Sequence, residues 1–212
     1  MAGQTPWQTV GPYFHYGLAW KGGADLIEVG ADLGARMDLI PEGHYVLNPN
    51  TTHRGEVAGE PIEISGVVYD ADGAPVADAM IEIWQANSAG RYADPQDDRA
   101  DLPLDQGFIG FGRSSTDTEG VYRFRTVKPG RAPGPGNSLQ APHIAVGVQA
   151  RGVIKRLCTR LYFADEASNA EDPILALVPE DRRATLIATP VPGGYRLDIR
   201  LQGADETVFF DV

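Results

Sequence analysis

Catalysis or metal binding in this chain would need histidine, cysteine, tyrosine or carboxylate side chains at workable spacing. The four histidines, His15, His44, His53 and His143, are scattered. No two stand at i,i+2 or i,i+4, the separations that set two ligands on one face of a strand or helix. His-Glu-x-x-His, paired Cys-x-x-Cys, Gly-x-Ser-x-Gly and a phosphate-binding glycine loop are absent from the sequence. The single cysteine, Cys158, lies in the apolar-rich stretch Leu157–Phe163 and reads as a buried, inert strand thiol rather than a nucleophile. The 29 Asp and Glu residues offer no pair that stands out for acid–base work, and they read as a solvated surface. His143, followed by Ile144 and Ala145, reads on residue type as a satisfied strand-end histidine. By themselves these residues complete no catalytic site.

The elements that must position them are strands. Tyr195–Gln202 alternates apolar and polar residues at period two, the pattern of a half-buried strand. Shorter runs of the same kind are Ile62–Tyr69, Ala79–Gln85, Val121–Val127, His143–Ala150 and Leu157–Phe163, with Thr207–Val212 closing the chain. Turn chemistry separates them at Asp70-Ala71-Asp72-Gly73, Asp117-Thr118-Glu119-Gly120 and Pro192-Gly193-Gly194. The expected fold is therefore all-β, a sandwich over residues 61–212, with at most one or two short helices. Pro179–Ile187, with an early proline and acids in its first turn, is the clearest helix candidate. Lys128–Pro142 reads as a structureless loop, of a length often reserved for function, and it delivers the chain into His143.

Residues 1–60 differ in character, being rich in Gly, Pro, Asn and Thr. Trp7, Tyr13, Phe14, Tyr16 and Trp20 are too many aromatics for a solvated tail, so the segment reads as an arm packed on the sandwich or on a partner. A net charge of −11 disfavours nucleic acid and anionic membranes. It leaves room for a small anionic ligand held by a local arginine. With one cysteine, no transmembrane run and no signal-peptide pattern at the start, a cytoplasmic location is expected.

The stretch Val67–Tyr92 is more informative. Asp70–Ala79 has the hairpin form Asp-x-x-Gly-x-Pro-Val-x-x-Ala, which occurs in many transthyretin-like sandwiches. Its continuation, Glu82-Ile83-Trp84-Gln85-Ala86-Asn87 and then Gly90-Arg91-Tyr92, is far more specific and resembles the intradiol ring-cleaving dioxygenases. Phe111-Gly112-Arg113, Thr116-Asp117, Gly120, Phe124-Arg125-Thr126, Val127-Lys128-Pro129-Gly130 and Ala141-Pro142-His143-Ile144 follow in that family's order. The likeness runs from Thr5 to Val212.

The resemblance implies a non-haem Fe(III) site built from two tyrosines and two histidines, hard phenolate and imidazole donors suited to a ferric ion. Those positions fall on Tyr92, Ala132, His143 and Ala145. Two of them are alanine and cannot coordinate, so the chain is expected to bind no metal and to hold no catalytic residue of its own. It then resembles the iron-free α chain of the family's two-subunit members, whose homologous β partner carries Fe(III). Thr5–Tyr13, Ala150-Arg151-Gly152, Thr159–Phe163 and Glu206–Asp211 fit that chain in particular. By the same resemblance Thr9, Gly11, Pro12 and Tyr13, with Arg151 nearby, would contact a protocatechuate-like catechol acid at the α–β interface, where O2 cleaves the ring. Two rivals stand beside this reading. One is a homo-oligomeric enzyme with an altered metal site, recruiting Tyr92, His143 and an acid such as Asp94. The other is a transthyretin-like binding module with no enzymatic partner.

Overall fold

A computed structural model describes residues 9–11, 14, 23–27 and 56–211. In chain order the strands are β1 (Pro61–Tyr69), β2 (Met80–Trp84), β3 (Phe111–Ser115), β4 (Val121–Val127), β5 (Ala132–Pro133), β6 (Leu139–Gln140), β7 (His143–Gln149), β8 (Leu157–Phe163), β9 (Ile187–Val191), β10 (Gly194–Arg196) and β11 (Ile199–Arg200). One layer is built on β1, antiparallel to β4 and parallel to β10 and β11. The other is the antiparallel run β3-β2-β7-β8. β9 joins them: Ile187 and Ala188 lie parallel to Tyr162 and Phe163, and Thr189–Val191 then pair with β10.

The alternation seen in the sequence decides which residues meet between the layers. Ile62 and Ile64 of β1, Ile81 and Ile83 of β2, Phe124 of β4, Ile144, Val146 and Val148 of β7, and Leu161 and Phe163 of β8 form one core. The edge between β3 and β4 is closed by Gly23–Ile27. Arg113 N–H donates to the Gly23 carbonyl, Arg125 N–H to that of Ala24, and Leu26 N–H to that of Arg125. Ala24 and Leu26 are fully buried there, and Gly112 keeps room for Leu26, whose Cδ1 would lie 2.6 Å from an added Cβ.

Several elements depart from the sequence expectation. Tyr195–Gln202 is two short strands, β10 and β11, held in one register along β1 and interrupted at Leu197-Asp198. There the Leu197 carbonyl accepts the Tyr122 hydroxyl at 2.6 Å, and the Asp198 carboxylate accepts Val67 N–H at 2.9 Å. Side chains have replaced ladder bonds. Thr207–Val212 makes no strand over its described residues, only a bridge from Phe210 to Cys158. The loop Lys128–Pro142 contains the small β5–β6 hairpin.

Among the described residues from 56 on, helical structure consists of short 3-10 segments at Ala167–Glu171, Leu175–Leu177 and Glu180–Leu186, the last within the expected Pro179–Ile187. They cover the outer face of β8 and bury a second cluster: Ala141, Tyr162, Leu175, Val178 and Leu186. Among the described residues no helix is long and apolar enough to cross a membrane.

Candidate functional site

β2 ends in Trp84, and the turn that follows is fixed by two buried amides. Gln85 donates to the carbonyls of Ala86 and Val127 and accepts the Thr126 hydroxyl at 2.9 Å. Asn87 Oδ1 accepts Ala89 N–H and Arg91 N–H, while Nδ2 donates to the Pro103 carbonyl. Gly90 adopts φ 84°, and a Cβ there would collide with the Arg131 carbonyl. This close approach sets Gly90-Arg91-Tyr92 against the strand that carries Ala132. Tyr92 stacks on Trp84 with ring centroids 5.9 Å apart, and its N–H donates to Asp97 Oδ2 at 2.7 Å.

The other half of the site comes from β7 and β8. Even-numbered positions of β7 enter the core, so His143 and Ala145 share its outer face. Across the ladder His143 lies opposite Tyr162, and Ala145 lies between Trp84 of β2 and Arg160 of β8. His143 Nδ1 meets the Ala141 carbonyl at 2.8 Å, which assigns the proton to Nδ1 and leaves Nε2 as the acceptor. Asp172 is buried behind it and accepts from the Ala141, Ile174 and Leu175 N–H groups and the Tyr162 hydroxyl. Arg160 Nη1 donates to Gln140 Oε1 and to the Tyr162 hydroxyl, and its guanidinium lies over the Phe210 ring. Gln140 in turn pairs with Ala132 across the β5–β6 hairpin. Tyr92, Ala132, His143 and Ala145 are thus brought onto one face, with Arg160 among them.

Burial governs the electrostatics. Desolvation lowers the His143 imidazole to about 4, assisted by the nearby Arg160 cation. Burial raises the Tyr92 phenol, with Arg160 and Arg99 pulling the other way. Asp97 is held at about 2, chiefly by its hydrogen bond from Arg99. These residues do not fit a ferric ion. Tyr92 and His143 remain, but Ala132 and Ala145 supply no donor, and a cation stands opposite Ala145. Among the described residues no three His, Cys, Asp or Glu side chains gather into a metal cluster.

Of the other sequence candidates, Thr9 and Gly11 are exposed, with the Gly11 carbonyl accepting Phe14 N–H at 3.1 Å. Pro12 and Tyr13 lie outside the described residues. Arg151 lies in the turn after β7, whose length from His143 to Gln149 is roughly 20 Å at about 3.4 Å per residue, and it pairs through Nε with Asp78 Oδ2. Asp94 shares a cavity of about 390 Å³ with Trp84, Tyr92 and Arg99, but its Oδ1 closes a local turn by accepting Gln96 N–H. Cys158 is half-exposed rather than buried. It faces outward on β8 and lines a second cavity of about 390 Å³ with Arg156, Arg160 and Phe210. Residue type alone did not single out Arg160, Gln140 or Asp172. The β7–β8 hairpin register would have placed Arg160 opposite Ala145, because both strands are legible in the sequence.

Comparison with known proteins places the chain among dioxygenases. Residues 38–203 match the family model Dioxygenase_C, described as dioxygenase. The chain is 45% identical to the protocatechuate 3,4-dioxygenase alpha chain of Burkholderia cepacia, over 99% of this chain and 98% of that one. It is 39% identical to the Pseudomonas putida alpha chain, over 98% and 96%. The Burkholderia cepacia beta chain is 41% identical over 80% of this chain and 76% of its own. Among solved structures, the dioxygenase domain of a carbohydrate-binding fusion protein from Streptomyces sp. SirexAA-E superposes with a TM-score of 0.53 at 27% identity, covering 78% and 97% of the two chains. Catechol 1,2-dioxygenase from Acinetobacter sp. ADP1 shares the fold, with a TM-score of 0.54 at 23% identity over 70% and 55%.

Proposed function

The chain belongs to the intradiol ring-cleaving dioxygenase family, and from that premise we propose that it is the iron-free α chain of a protocatechuate 3,4-dioxygenase. Its partner is a homologous β chain carrying Fe(III). The observation that carries this reading is the replaced donor set: Tyr92 and His143 persist beside Ala132 and Ala145, with Arg160 between the vacant positions. Near-full-length similarity to two alpha chains supports it. Held by the partner chain, Fe(III) would supply the activation by which both atoms of O2 are inserted into a catechol acid between its hydroxyl-bearing carbons, with 3-carboxy-cis,cis-muconate as the product.

This chain's contribution is orientation and exclusion of water at the interface. Residues 1–60 act as an arm on the sandwich and the partner, and Thr9, Gly11, Pro12 and Tyr13 form pocket wall. Arg151 is 71% exposed at its side chain and anchored to Asp78 through Nε. That anchor leaves the terminal amines of the fork to face a substrate carboxylate. The complex works in the cytoplasm.

The test is to express this chain alone and with a β chain, then compare iron content, visible absorbance and O2 uptake with protocatechuate. We expect a colourless, inactive chain that enters a coloured, active complex only with its partner. A coloured and active homo-oligomer would instead support the altered-site enzyme.

A further inference from the structure

We propose that Arg160 is a built-in cation that fills the vacated metal position and blocks metal binding independently of the two missing ligands. The inference rests on the family reading only for the identity of the four ligand positions. Its substance is geometric. Arg160 is the cross-strand partner of Ala145, and directly opposed residues on one face of an antiparallel pair have Cβ atoms roughly 5 Å apart. Its Nη1 is hydrogen-bonded to Gln140, and Gln140 is the cross-strand partner of Ala132. The guanidinium is therefore tied to the neighbours of both lost donors at once, while the Tyr162 hydroxyl, opposite His143, receives a further bond from it at 3.3 Å.

Arg160 also stands apart from most arginines of this molecule. Arg99, Arg113, Arg131, Arg151, Arg156 and Arg196 each pair with a carboxylate. Arg160 has no carboxylate partner among the described residues; its contacts are a neutral amide, a neutral phenol and the Phe210 ring. A half-buried cation without a counter-ion is compatible with a pocket that holds no second cation. It is incompatible with one that must also accept a trivalent ion, because like charges at this range repel strongly in a partly desolvated site. Ala132 and Ala145 remove the donors, and Arg160 adds repulsion and bulk. Restoring the donors alone should therefore leave the site closed.

The test restores the donor set in the full chain by Ala132→Tyr and Ala145→His, with position 160 kept as Arg or changed to Gln, Met or Lys. Far-UV circular dichroism and thermal melting establish that each variant is folded. Ferric binding is read from metal content after dialysis and from tyrosinate-to-iron absorbance in the visible. With Gln or Met at position 160 we expect colour and tight ferric binding; with Arg or Lys, affinity falls at least ~100-fold, about 2.7 kcal/mol. Equal uptake whatever stands at position 160 refutes the block, as does uptake by the Lys variant matching that of Gln. Failure of every folded variant to take up iron refutes it too. No partner chain or substrate enters this measurement, whereas the subunit reading is judged on the activity of the α–β complex, so the two can fail separately.

Discussion

His143 provides a quantitative handle on the site through pH. The imidazole is buried at 4% exposure, and desolvation, with Arg160 nearby, lowers it from about 6.5 to about 4. In the unfolded chain it takes up its proton near pH 6.5; in the folded chain it stays neutral until about pH 4. Between these values the unfolded state binds more protons, so stability is full above about pH 6.5 and drains away as pH falls toward 4. At about 1.36 kcal/mol for each pH unit of the gap, the full loss is about 3 kcal/mol, of which about 2.5 kcal/mol is gone by pH 4.5.

Asp97 works in a separate range. Its carboxylate is held at about 2, so its contribution is present above about pH 3.8 and is lost only as pH falls from there toward 2. The assay is urea unfolding of the wild type and of His143→Gln at pH 7.5 and 4.5. The remaining histidines titrate alike in both proteins and cancel. We expect the stability gap between the two proteins to shift by about 2.5 kcal/mol in favour of the variant at the lower pH, about 1 M in urea midpoint. A gap constant to within about 0.5 kcal/mol would show that His143 protonates normally inside the fold and would sink the desolvation argument.

Three further outcomes are expected. A Cβ at Gly66 would collide with the Leu197 carbonyl and sit 2.8 Å from the Tyr122 hydroxyl, so Gly66→Ala should cost at least about 3 kcal/mol and be visible as a clear fall in Tm. Thr116 is fully buried; its hydroxyl accepts Ala79 N–H at 2.9 Å and donates to the Val76 carbonyl at 2.7 Å. Thr116→Val should cost about 1–3 kcal/mol in chemical denaturation, and no measurable loss would mean that water replaces the hydroxyl. In the complex with a β chain, Tyr13→Ala should lower kcat/KM by roughly 10-fold or more, the scale of one lost packing and hydrogen-bonding contact. Bound iron should be unchanged, and a parallel loss of iron would count against the wall role given to the arm.

Legibility from sequence followed the physics of each element. β1, β2, β4, β7 and β8 were visible because one face of each is buried and its residues alternate accordingly. β3 escaped detection: Phe-Gly-Arg-Ser-Ser has no apolar alternation, since Gly112 gives its space to Leu26 from a distant segment. β9 escaped because it changes layers halfway, so neither half is long enough to show a period. At the site, the four ligand positions are marked by motif resemblance alone. The groups that define their surroundings, Arg160, Gln140 and Asp172, are tertiary partners that no local pattern announces. Cys158 departs from its sequence expectation for a related reason. Apolar neighbours suggested burial, but its parity on β8 turns it outward.

The hydrogen bonds of Gln85 and Asn87 have a consequence for how such a chain could arise. They pin the turn that carries Tyr92 through bonds between protein groups. A framework that stands unaided can lose its ligands one at a time without unfolding. In a duplicated gene each such loss is then tolerated by the fold, provided the sister copy retains the chemistry. One descendant is thereby free to drift from catalyst to scaffold while keeping the shape its sibling needs beside it.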